Sequence, residues 1–185
     1  MALDVAPLSN QLGFFSLICY CLTLLPTLLR IVFPQTKQTE IPKWLLLQRR
    51  LIGILAFLFA VGHGVLLIKK RNIDFSDVTT AWVYIQGICT LLIFTLLAVT
   101  SNDWSVKKLK KHWKQLHQLT YLAMFLLTWH VLDKMMGHWT QVTPISLILI
   151  GLIDGLFIWR RWIECRGSAK TPAAQSMSAK PTKPN

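Results

Sequence analysis

The chain has 185 residues, 53% of them hydrophobic, with 20 Lys+Arg against 8 Asp+Glu and a formal net charge of +12. A soluble domain of this length cannot hide so much apolar surface. The basic residues alternate with long apolar blocks instead of covering one soluble face, which excludes nucleic acid as the partner. What fits is an all-α integral membrane helix bundle.

The opening MALDVAPLSN carries Asp4 and no Lys or Arg, so the basic segment of a secretory signal is missing. Residues 1–11 therefore read as a short outer segment before a retained span. Four apolar blocks approach or exceed the roughly 18–20 residues that a crossing needs: Leu12–Leu29, Leu51–Ile68, Ala81–Val99 and Thr143–Trp159. The block Leu119–Leu132 is shorter, but Gln115–Leu132 reaches span length if its polar start lies in the interface. About five transmembrane helices are expected, within one membrane domain over residues 12–166. The stretch from Gly167, GSAKTPAAQSMSAKPTKPN, is rich in Ser, Ala, Pro and Lys without apolar periodicity, so residues 167–185 are expected to form a disordered cytoplasmic tail.

Basic residues set the orientation. Fifteen of them fall in Pro34–Arg50, in Thr100–Lys114 and from Arg160 onward, against four in the alternate loops, at Lys69–Arg71 and Lys134. The N-terminus is therefore expected outside and the C-terminus in the cytoplasm. Tryptophans agree: Trp44, Trp104, Trp113, Trp159 and Trp162 fall at the inner boundary, and Trp82, Trp129 and Trp139 at the outer. Cys19, Cys21, Cys89 and Cys165 read as small apolar fillers. No C-x-x-C-H occurs, which excludes covalent c-type haem.

Ionisable groups inside a span point to function. His130 lies roughly 5 Å short of Asp133 and His63 roughly 9 Å short of Lys69, both at outer ends of spans running the same way, so they reach similar depth. Two imidazoles at one depth on two helices are what bis-axial ligation of a b-type haem needs, and burial keeps them neutral. Gly62 and Gly64 flank His63, either letting a flat macrocycle approach or serving helix contact. His117 lies roughly 5 Å beyond Lys114 at the inner end, with Arg49 and Arg50 at its depth on span two and no matching histidine. It reads either as a ligand of a second, inner haem or as a hydrogen-bonding residue. On an ideal helix His117 and His130 are roughly 140° apart and share no stripe. His112 reads as solvated, and His138 as a surface residue of the short outer loop. The basic groups Arg49, Arg50, Lys107, Lys108, Lys110, Lys111 and Lys114 are candidates for contact with a donor or with anionic membrane lipid.

The segments RRLIGILAFLFAVGH (Arg49–His63) and TSNDWSVKKLKKHWKQLHQLTYLAMFLLTWH (Thr100–His130) resemble the haem-binding membrane subunit of the protein-methionine-sulfoxide reductase system, the MsrQ type, within the ferric reductase-like transmembrane superfamily. The shared pattern is R-R-x-x-G before His63, then T-S, then W-x-x-L-H-x-x-x-Y around His117, with His130 following. The resemblance implies a b-type haem protein of the bacterial inner membrane that passes electrons to a periplasmic partner, with His63, His117 and His130 as the ligand positions. Two departures stand out. Members of this type usually carry one more span before the equivalent of Leu12–Leu29, and Lys110 stands where a glycine is usual.

No flavin or nicotinamide domain follows Arg160, and no motif supports a flavin, although the Lys107–Lys114 cluster could hold a flavin phosphate. Electrons are expected from quinol or a separate cytoplasmic reductase. Three functions stay open: an electron-transfer subunit serving a periplasmic reductase such as a molybdenum oxidoreductase, a stand-alone ferric or quinone reductase, and a non-redox membrane scaffold.

Overall fold

A computed structural model describes residues 6–70, 78–135 and 140–178. Its elements are α1 (Leu8–Val32), a 3-10 turn (Pro34–Gln38), α2 (Glu40–Lys70), α3 (Val78–Val99), α4 (Asp103–Leu109), α5 (Lys111–His117), α6 (Leu119–Met135) and α7 (Val142–Ser178). The protein is thus an all-α bundle. The helices α1, α2, α3 and α7 are long and apolar enough to cross a membrane.

The fourth predicted span is built differently from the others. The segment 115–132 divides between the end of α5 and α6, which has only 17 residues. The two meet at Gln118, whose φ of −71° and ψ of −19° are still helical, while the Tyr121 N–H turns to the Gln118 carbonyl at 3.0 Å. The break is one tightened turn. The angle computed for an unbroken helix between His117 and His130 therefore does not apply. At the other end of the chain, α7 continues to Ser178, where composition alone suggests disorder from Gly167. Residues 179–185, His138 and Trp139 lie outside the described residues.

Packing follows one apolar stripe. Leu17, Tyr20, Leu24 and Leu28 recur at helical spacing on α1 and are buried against Ala56 of α2, Phe94 of α3, Met124 of α6 and Ile153 of α7. The outward faces are apolar too: Leu47, Leu58, Ile88, Leu92, Ile148 and Ile158 are all exposed. An apolar core inside an apolar coat suits a lipid solvent. Polar ties then specify the pairing between helices. Ser16 donates to the Ala56 carbonyl at 2.8 Å, Tyr20 donates to the Thr120 carbonyl, Gln86 Nε2 donates to Asp133 Oδ2 at 2.7 Å, and Thr128 donates to Asp154 Oδ2 at 2.9 Å.

Candidate functional site

Histidines 63 and 130 are 67 positions apart in the chain and line one cavity. That cavity has a volume of 270 Å³ and is walled mainly by apolar groups, among them Leu17, Ala60, Phe94 and Leu127. His63 comes from α2 and His130 from α6, so the helices that expectation set at one depth do bring their imidazoles together.

Each ring is held by a third helix. His63 Nδ1 donates to the Ser9 carbonyl of α1 at 2.6 Å, and His130 Nδ1 donates to the Val83 carbonyl of α3 at 3.1 Å. A carbonyl can only accept, so Nδ1 carries the proton in both neutral rings and Nε2 carries the lone pair. That is the tautomer in which Nε2 can ligate a metal. Gly13 and Gly87 press against these rings: a Cβ built at Gly13 would lie 3.0 Å from His63 Nδ1, and one at Gly87 would lie 3.2 Å from His130 Cε1.

The glycines beside His63 split their roles. A Cβ at Gly62 would lie 3.1 Å from Leu12 Cδ1, so Gly62 serves the contact between α1 and α2, whereas Gly64 lines the cavity. Below the His130 seat, Gln86 is nearly fully buried on α3, and its Oε1 has no partner among the described residues. Reading the chain alone gave no role to Gly13, Gly87, Gln86 or Asp154. For the last two a signal was present, since each is a polar side chain within an apolar span.

His117 is elsewhere. It lines a second cavity of 510 Å³ together with Arg49, Arg50, Trp113, Lys114 and Arg160. Its ring stacks on Trp113 at 4.1 Å between centroids, and its Nε2 lies 3.3 Å from Thr100 Oγ1. The Thr100 hydroxyl gives its single proton to the Leu96 carbonyl at 2.6 Å, so toward His117 it accepts. His117 Nε2 therefore carries a proton, the opposite arrangement to His63 and His130. Trp113 Nε1 also donates to the Thr100 carbonyl at 2.9 Å, which makes Thr100 the anchor of this corner.

The cationic groups divide as well. Arg50 donates to the Ser101 carbonyl and, at 2.9 Å, to Asp103, clasping α2 to the turn after α3. Arg160 donates to Tyr121 Oη at 2.6 Å and to Glu164 at 2.8 Å, so its guanidinium is fixed at the cavity wall. Lys107, Lys110 and Lys111 are exposed, Lys108 lies 4.4 Å over the Trp104 ring, and Lys114 is exposed at the cavity mouth. His112 is exposed and pairs with Gln115 at 3.0 Å. Asn102 caps α4 by accepting from the Ser105 N–H at 2.7 Å. Lys110 then turns the chain into α5 with φ 46° and ψ −113°, the one positive φ on a non-glycine residue among the described residues.

Among the described residues, no three of His, Cys, Asp and Glu converge as a cage for a bare metal ion. Two imidazoles are, however, what a bis-axially ligated iron held in a macrocycle takes from a protein. The donor set fits that group.

Comparison with known proteins finds one family. The family model of the ferric reductase-like transmembrane component matches residues 12–128, a stretch that contains His63 and His117 and stops two residues before His130. Curated relatives from Brucella ovis, Brucella canis and Brucella suis carry the name protein-methionine-sulfoxide reductase heme-binding subunit MsrQ. Each is 29% identical over 182 residues, covering 94% of this chain and 77% of the relative.

Proposed function

This chain belongs to the ferric reductase-like transmembrane component family, and from that premise we propose that it is the haem-binding, electron-transferring membrane subunit of a two-part reductase. The observation that carries this reading is the shared cavity of His63 and His130, with both Nδ1 protons committed to backbone carbonyls. The two residues would hold a b-type haem through Nε2. When bound, the haem supplies a one-electron iron couple inside the bundle. The side chains of Leu17, Ala60, Phe94 and Leu127 would offer that group an apolar wall.

The His117 cavity would face the electron donor. Its cations, Arg49, Lys114 and the fixed Arg160, suit a quinol headgroup or the acidic surface of a separate cytoplasmic reductase. For His117 to ligate a second haem through Nε2, it would have to give up Thr100. While Nε2–H stays on Thr100, Nδ1 could instead accept a hydrogen bond from the incoming donor. The acceptor would lie across the membrane, a periplasmic reductase of the kind that the relatives' name implies. By the excess of basic residues around α4, α5 and the end of α7, these ends would lie in the cytoplasm of a bacterium and the start of α1 outside.

The decisive experiment is the absorption spectrum of the purified protein with its haem-to-protein ratio. Low-spin b-type bands that His63→Ala or His130→Ala abolishes are expected. A protein purified without haem, or single variants with unchanged bands, would overturn the reading. Orientation has its own test: a periplasm-dependent reporter should work when fused after Arg71 and fail after Lys111.

A further inference from the structure

Within an α-helix the carbonyl of residue i accepts the N–H of residue i+4, yet it keeps a second lone pair pointing outward. That lone pair is ordinarily covered, because the side chain at i+4 leans back over the preceding turn. Replace the i+4 residue by glycine and the carbonyl opens to a donor from a neighbouring helix.

This arrangement occurs twice in the bundle. Ser9, whose carbonyl takes the His63 proton, is four residues before Gly13, and Val83, whose carbonyl takes the His130 proton, is four residues before Gly87. In each case the same glycine touches the same ring. Beyond their immediate chain neighbours, Gly53, Gly62, Gly64, Gly151 and Gly155 have no histidine within reach of a Cβ. Two separate helices, α1 and α3, thus present one device to the two histidines that share a cavity.

We propose that Gly13 and Gly87 are positioning residues, each opening a slot beside the carbonyl one turn earlier that fixes the orientation and Nδ1–H tautomer of His63 and His130. The proposal rests on the haem reading for its spectroscopic consequence, but not for the tautomers. A methyl group at either glycine meets a ring that cannot yield without stretching its bond to the carbonyl. The ring tilts, the Nδ1 bond weakens, and Nε2 moves away from its ligating direction.

The test uses Gly13→Ala and Gly87→Ala in the full chain purified with haem, with Gly151→Ala as the control because nothing lies within 4 Å of its added Cβ. Both test variants should lose a large part of the low-spin signal to high-spin bands and shift the midpoint potential, while the control keeps the wild-type spectrum. Wild-type spectra and potentials in both test variants would overturn the proposal. If either variant fails to fold, nitrogen-15 spectra of the haem-free wild-type chain decide. Nδ1–H at both histidines supports the slots, and Nε2–H at either one refutes them. The haem reading fails separately, through His63→Ala and His130→Ala variants that keep their bands.

Discussion

At one cavity, two imidazoles from α2 and α6 give their Nδ1 protons to carbonyls of α1 and α3; at the other, the lone imidazole of His117 gives an Nε2 proton to a threonine hydroxyl. The first cavity has 270 Å³ and mostly apolar walls, the second 510 Å³ with several guanidinium and ammonium groups around it. The same side chain is thus prepared for two tasks by what its other nitrogen touches. Where Nδ1 is tied, Nε2 has its lone pair for a metal. Where Nε2–H is tied, Nδ1 is the nitrogen that can accept a hydrogen bond or a proton from something entering a roomy charged chamber.

The comparison breaks most severely at His63 and His130. Replacing either by Ala should remove most low-spin absorbance, since one remaining imidazole cannot give a six-coordinate bis-histidine iron. Replacing His117 by Ala should leave that spectrum largely intact and slow reduction by the donor by about tenfold, the equivalent of about 1.4 kcal/mol in barrier. Stopped-flow reduction followed in the haem bands measures both. A His117→Ala protein that loses half its haem would show that the second cavity holds a ligand after all.

How much of this was legible in the chain depends on how local the cause is. The pairing of His63 with His130 in one cavity follows the rise per residue counted from the nearest charged boundary, a cause local to each helix. The apolar blocks gave α1, α2, α3 and α7 for the same reason. The break at Gln118 was hidden because its backbone stays helical and the change is confined to two tightened bonds, Gln118 N–H to the Gln115 carbonyl and Tyr121 N–H to the Gln118 carbonyl. Gly13 and Gly87 were hidden because each sits far along the chain from the histidine that it touches. Gly62 and Gly64 stand out in the chain because they flank His63 on its own helix, whereas Gly13 and Gly87 belong to α1 and α3. The T-S pair before α4 was legible as a pattern but not as a purpose: Thr100 anchors His117 and Trp113, and the Ser101 carbonyl accepts from Arg50.

A smaller effect separates the polar ties near His130 from the ring itself. Asp133→Ala leaves Gln86 buried with both ends of its amide unsatisfied, whereas Gln86→Leu removes the bond together with the orphaned Oε1. The first should cost about 1–3 kcal/mol and the second less than about 1 kcal/mol, near the mean for interhelical hydrogen bonds in membranes. Thermal unfolding of the two variants in detergent gives the order. Equal losses would mean that Gln86 Oε1 is satisfied in the folded protein.

The smallest change belongs to the turn that delivers Trp113, Lys114 and His117 to the second cavity. Lys110 ends α4 and starts α5 at φ 46° and ψ −113°, a conformation that a Cβ disfavours and glycine adopts freely. Strain of this kind amounts to about 1–3 kcal/mol, and the extra freedom of glycine in the unfolded chain takes back about 0.5–1 kcal/mol. Lys110→Gly should therefore stabilise the protein by about 1 kcal/mol, read as a rise in the unfolding temperature. Lys110→Ala removes the same charge and keeps the Cβ, so it should gain nothing. If both variants gain alike, the cause is repulsion among Lys107, Lys108, Lys111 and Lys114 instead of the backbone. Neither variant should move the bands assigned to His63 and His130, because the turn touches only the His117 side.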